Sequence, residues 1–136
     1  MTWKVPYIDL GAQYQALKPQ LDEAISRVMA SGRYVNGEET ERFEEAMARY
    51  LGVKHVIGVG NGYDALYLSL KAIGIRQSSS VFVSSYTHIS TRASVCNLQG
   101  KVELREPKDA SIIVHMNGRI NSDILPPLIK WPLIED

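Results

Sequence analysis

The stretch that most constrains the fold is Val56 to Ala72, VIGVGNGYDALYLSLKA, because its periodicity changes midway. Val56, Ile57 and Val59 form a short β-branched run that reads as a buried strand. Gly60, Asn61 and Gly62 follow. From Asp64 the apolar residues Leu66, Leu70 and Ile73 recur at helical spacing, and Ala65, Lys71 and Ala72 favour helix. A strand, a glycine turn and a helix make a ready anion site. The first N–H groups of the helix lack intrahelical acceptors, and the helix dipole adds positive charge there. The glycines match neither a P-loop, since no Lys-Ser or Lys-Thr follows, nor a dinucleotide fingerprint, since Gly62 comes one residue early after Gly58 and Gly60. An ordinary tight strand-to-helix connection explains them equally well.

Around this stretch the chain alternates. Met1 to Leu10 reads as extended, with Pro6 opposing helix at Val5. Tyr14, Leu17, Leu21, Ile25 and Val28 share a helical face, and Pro19 places the start of that helix near Lys18-Pro19, with Ser31-Gly32 as its end. A loop, Arg33 to Gly37, carries Tyr34 beside Arg33. Glu38 to Leu51 is a second amphipathic helix whose buried stripe is Phe43, Met47, Tyr50 and Leu51, stopped by Gly52. Val81-Phe82-Val83 is a buried strand, followed by the polar loop Ser84 to His88 and a helix over Ile89 to Leu98, which Thr91 and Val95 weaken. Strands follow at Lys101 to Leu104, at Ile112 to Val114 and at the closing Pro132 to Asp136, with a short helix over Ser122 to Ile129 interrupted by Pro126-Pro127.

Continuously apolar strands alternating with helices indicate an α/β fold, a three-layer αβα arrangement with a mainly parallel sheet. In such sheets a ligand sits beyond the carboxyl ends of the strands. The residues expected there are Asn61, Gly62 and Tyr63, then Tyr86, then His115 and Asn117, then Asp136. Together they suit a phosphorylated aromatic ring: an anion cradle, an aromatic to stack, and a carboxylate for a ring nitrogen.

The bulk numbers narrow the setting. Fifteen basic residues balance fifteen acidic ones, which gives no basis for nucleic acid or an anionic membrane as partner. No apolar run is long enough to span a bilayer, and MTWKVPYIDL lacks a signal-peptide core. The single cysteine, Cys96, forms no internal disulfide, so a cytoplasmic setting and a role as a small buried hydrophobe are expected for it.

With these residues in view, the chain resembles the DegT/StrS group of pyridoxal-phosphate-dependent sugar aminotransferases, fold type I. The resemblance is carried by the block from VPYIDLGAQYQALKPQ through YLGVKHVIGVGNGYDALYLSLKAIGI, then SSYTHISTRASV, IIVHMNG and PLIED. It implies that residues 1–136 are part of the large, cofactor-binding domain, without the small C-terminal domain. It implies pyridoxal 5′-phosphate as cofactor, with the Gly62 and Tyr63 backbone on its phosphate, Tyr86 stacked on the pyridine and Asp136 paired with the ring nitrogen. Tyr34, His115 and Asn117 are expected to line the pocket. The implied substrates are a nucleotide-linked keto-sugar and an amino-acid donor, and the implied assembly is a homodimer.

The match has departures. The family's Schiff-base lysine lies beyond the acid that Asp136 matches, and none of Lys4, Lys18, Lys54, Lys71, Lys101, Lys108 or Lys130 stands in its context. No catalytic residue is therefore assigned. Tyr63 replaces a small hydroxyl residue, Gln77 to Ser80 replaces an acidic glycine turn, and two segments, between Glu106 and Ala110 and between Asp123 and Pro132, are short. The alternative to an aminotransferase is a truncated, non-catalytic dimerisation or cofactor-binding module.

Overall fold

A computed structural model describes residues 6–105, 109–115 and 132–136. They fall into two compact units, Met1–Gly58 and Val59–Asp136.

The first unit holds α1 (Leu10–Ser31) and α2 (Glu38–Leu51). Helix α1 begins well before Pro19, the residue expected near its start from sequence. The reason is the cap: the Asp9 side chain accepts the Ala12 N–H at 2.8 Å, satisfying one of the orphan donors. Pro19 then sits inside the helix, where the lost hydrogen bond and ring crowding cost about 3 kcal/mol. An ion pair between Lys18 and Asp22 spans the site one turn on. Helix α2 has the expected bounds. It starts at Gly37, where a Cβ would lie 2.6 Å from the Arg33 carbonyl oxygen, so only glycine fits. It stops at Gly52, whose φ of 67° is left-handed. Arg27 of α1 donates to Glu39 of α2 at 3.0 Å and to Glu23 at 2.8 Å. The hydrogen bond from Arg27 holds the Glu39 carboxyl below its usual range.

The stripe of α2 that was expected to be buried is largely exposed, apart from half-buried Met47, and the shared apolar face of α1 is largely exposed as well, apart from half-buried Val28. Leu17 is 45% exposed and Ile25 59%. Phe43, Tyr50 and Leu51 of α2 are likewise exposed. Amphipathic spacing shows which face seeks cover, and among the described residues little covers either face. The expected strand at Val56–Val59 does not form either. Its Gly58 N–H, needed by a ladder, donates to Glu44 Oε1 at 2.7 Å, and no described strand pairs with it.

The second unit contains α3 (Gly62–Ala72), β1 (Ser80–Val83), α4 (Ile89–Asn97), β2 (Lys101–Glu103), β3 (Ala110–Ile113) and β4 (Leu133–Glu135). These elements match the sequence reading to within a few residues. All strand pairs are parallel, in the order β2-β1-β3-β4. Val81 pairs with Val102 on one side and Ala110 on the other, and Ile112 pairs with Ile134. The core is Leu66 and Leu70 of α3, Val81 and Val83 of β1, Val95 of α4, Ala110 and Ile112 of β3, and Ile75. Leu70 is wholly buried, a burial that stabilises by about 2–3 kcal/mol. The sheet and the layer formed by α3 and α4 are two of the three expected layers. Cys96 corrects one expectation: it is exposed, because α4 turns Thr91, Ser94 and Val95 inward instead. The expected helix at Ser122–Ile129 lies outside the described residues.

Candidate cofactor site

The strand order creates an opening. From β1 the chain passes to β2 on one side, and from β3 to β4 on the other. Loops leaving adjacent strands in opposite directions leave a crevice at the carboxyl ends of the strands. A cavity of about 430 Å³ lies there, lined by Gly62, Leu66, Tyr86, Thr87, His88, Ser90, Val114 and Asp136. That volume is ample for a cofactor-sized molecule.

Each wall has a local cause. Gly62 opens α3, where the Asn61 side chain caps the helix by accepting the Asp64 N–H at 3.0 Å. Asn61 Nδ2 also donates to Asp64 Oδ2 at 3.0 Å. With Asp64 capped, Gly62 and Tyr63 supply the remaining first-turn amides. A Cβ at Gly62 would meet no atom within 4 Å, so the backbone there is open to approach. Tyr86 follows β1 and is 75% exposed, a flat ring at the edge of the cavity. His88 caps α4, its Nδ1 accepting the Ser90 N–H at 3.2 Å.

Asp136 is the most firmly placed member. Its N–H donates to the Ile113 carbonyl and its carbonyl accepts the His115 N–H, both at 2.8 Å, continuing the β3–β4 ladder. Its Oδ2 accepts the Thr91 hydroxyl at 3.0 Å.

The cavity thus brings together Gly62, Tyr86 and Asp136 of the residues singled out from the sequence. Asn61 is a helix cap. The Tyr63 side chain leads elsewhere: its hydroxyl accepts from Asn97 Nδ2 at 2.5 Å, and its ring stacks on Tyr67 with centroids 6.1 Å apart. Only its backbone amide remains for an anion. His115 does not line the cavity, and its Nε2 lies 3.9 Å from Glu135 Oε2. Asn117 lies outside the described residues. Tyr34 belongs to the first unit, where it lines a depression of about 70 Å³ with Arg27 and Arg33. Thr87, His88 and Ser90, which line the cavity, and Thr91, which bonds Asp136, are not among the residues expected at the site from sequence. The signal was present: Thr91 is a poor helix former held inside a helix, and Thr87 lies one turn before it.

These residues fit pyridoxal 5′-phosphate. Open amides at a helix N-terminus suit its phosphate, the Tyr86 ring suits its pyridine face, and the Asp136 carboxylate suits its ring nitrogen. Among the described residues no three His, Cys, Asp or Glu side chains gather as a metal site, and no helix is long and apolar enough to cross a membrane.

Comparison with known proteins gives the same direction. Over 94 residues the chain is 44% identical to the dTDP-3-amino-3,4,6-trideoxy-alpha-D-glucose transaminase of Streptomyces venezuelae, covering 69% of this chain and 25% of that protein. It is 41% identical over 107 residues to the erythromycin biosynthesis sensory transduction protein EryC1 of Saccharopolyspora erythraea, covering 79% and 29%. The chain thus spans about a quarter of the length of these curated relatives. Its structure superimposes on the crystal structure of S. venezuelae DesV, determined in complex with a ketimine intermediate, with a TM-score of 0.86 at 31% identity, covering 98% of this chain and 42% of that one. A DegT DnrJ EryC1 StrS aminotransferase from Brucella abortus gives 0.83, also at 31% identity, covering 96% and 43%. The α/β fold is therefore that of the fold type I aminotransferases. With residues 15–122 matching its family model, the chain belongs to the DegT/DnrJ/EryC1/StrS aminotransferase family.

Proposed function

We propose that the chain is the cofactor-binding portion, part of the large domain, of a pyridoxal-phosphate-dependent aminotransferase that acts on nucleotide-linked keto-sugars with an amino-acid donor. The observation that carries this reading is the convergence of Gly62, Tyr86 and Asp136 on one cavity. The relatives support the substrate class, being named transaminases of dTDP-linked and UDP-linked sugars.

Each of these residues has a physical task. The Gly62 and Tyr63 amides hold the phosphate in the field of the α3 dipole. Tyr86 orients the ring by stacking, and Leu66 and Val114 line the cavity with apolar surface. Asp136 holds a proton on the pyridine nitrogen by pairing with it. Bound there, pyridoxal phosphate supplies an electron sink for the carbanion formed when a substrate Cα–H is broken.

Two such chains pair as a homodimer, a reading supported by the apolar stripe of α1, where Tyr14, Leu17 and Ile25 are 44%, 45% and 59% exposed. Its setting is the cytoplasm, a reading supported by a free, exposed Cys96 that a reducing compartment would preserve. The test is to join this chain to the remaining portion of a relative and supply pyridoxal phosphate, a keto-sugar nucleotide and glutamate. Cofactor absorbance and amino transfer are expected. Absence of both refutes the reading. A monomer by light scattering refutes the dimer.

A further inference from the structure

Asp136 presents a carboxylate at an exposed strand end, where a side chain normally turns freely. Here it does not, because a buried hydroxyl reaches it. Thr91 is wholly buried in α4, and its hydroxyl donates to Asp136 Oδ2 at 3.0 Å. Its oxygen also lies 2.9 Å from Thr87 Oγ1. A threonine hydroxyl has one proton to give. Since Thr91 spends it on the carboxylate, Thr87 is the donor of the second bond. The direction of the relay is fixed: Thr87 to Thr91 to Asp136. Thr87 itself lines the cavity, so the relay starts at the cavity wall, passes through the interior and ends at the acid.

Two further facts favour a purpose beyond packing. Thr91 is β-branched within a helix, where such residues lose side-chain freedom. Burying a hydroxyl is also unfavourable unless it is paired. Its neighbour Ser94 solves the same problem locally, donating to the Thr91 carbonyl at 2.8 Å. Thr91 instead bonds an acid 45 residues away.

Building on the reading of this cavity as a pyridoxal-phosphate site, we infer that Thr91, supported by Thr87, is a positioning residue that locks the Asp136 carboxylate by its Oδ2 and leaves Oδ1 for a protonated ring nitrogen in the cavity. Thr91 does not line the cavity and acts only through Asp136.

The probe is pyridoxamine 5′-phosphate, whose amine cannot form Schiff bases with surface lysines, measured by equilibrium dialysis with the 136-residue chain. A second probe is its carbocyclic analogue, in which the ring nitrogen is replaced by C–H. Thr91→Val is expected to weaken the first probe about tenfold, as loss of one hydrogen bond to a charged group would, and to leave the second unchanged. Thr91→Ser, which restores the donor, returns affinity to within about twofold of wild type by the same hydrogen-bond argument. In an Asp136→Asn background neither substitution has any further effect. Equal losses for both probes, or wild-type affinity in Thr91→Val, would overturn the inference while leaving the site reading intact. Should Thr91→Val fail to fold, Thr87→Val decides: weaker binding of the nitrogen probe alone supports the relay, and unchanged binding overturns it. If wild type binds neither probe, the site reading falls, and this inference with it.

Discussion

Gly62→Ala separates folding from ligand binding at the start of α3. The added methyl meets no atom within 4 Å, and Gly62 has no left-handed φ to strain. Alanine also loses less backbone freedom on folding than glycine, by up to about 1 kcal/mol in a helix interior. At the first helical position about half of that is expected, or about 0.5 kcal/mol of added stability. For a unit of this size that raises the melting temperature by roughly 2–4 °C. Binding should move the other way. The methyl keeps a phosphate from closing on the amide, and a hydrogen bond to a charged group is worth about 1.5–3 kcal/mol. Affinity for pyridoxamine 5′-phosphate should fall by roughly ten- to a hundredfold. The assays are urea or thermal melts followed by circular dichroism, and equilibrium dialysis. A destabilised variant would show that the space around Gly62 is not open. A stable variant with wild-type affinity would show that the phosphate does not sit on this turn.

Three other perturbations probe different parts of the structure. Leu70→Ala empties a site that is wholly buried and should cost about 2–5 kcal/mol, read as a lower urea midpoint with an unchanged slope. Tyr86→Ala should weaken pyridoxamine 5′-phosphate by roughly three- to tenfold, the value of one ring stack, while Tyr86→Phe binds normally and neither variant melts differently, because the ring is largely exposed. Glu39→Gln removes the carboxyl that Arg27 holds below its ordinary value of 4.5. A depressed carboxyl stabilises the fold above its unfolded value and loses that contribution as acid protonates it. The stability gap between wild type and variant should therefore be full at neutral pH and close as the pH falls below 4.5, measured by melts across that range.

Local physics made much of the second unit legible. Glycine stops, β-branched runs and helical spacing located α3, β1, α4, β2, β3 and β4, since each buries an apolar face against the others. The same spacing misled at α2 and at Val56–Val59. Periodicity reports which face would be buried, and Phe43 or Ile57 stay exposed when no described partner covers them. Pro19 misled because the start of α1 is decided by the Asp9 cap. At the site, Gly62, Tyr86 and Asp136 were readable because each follows a strand end or opens a helix. Thr91 was hidden because its partner is remote in sequence, and only folding shows that the helix-weakening residue is the one that reaches the acid.

The β2-β1-β3-β4 order has a consequence for relatives that share it. The gap above β1 and β3 follows from chain wiring, since β1 is followed by a strand on one side of the pair and β3 by a strand on the other. Side chains on the departing loops can drift without filling it. Evolution can then retune what enters through those loops while a backbone-pinned acid such as Asp136 stays at the same depth.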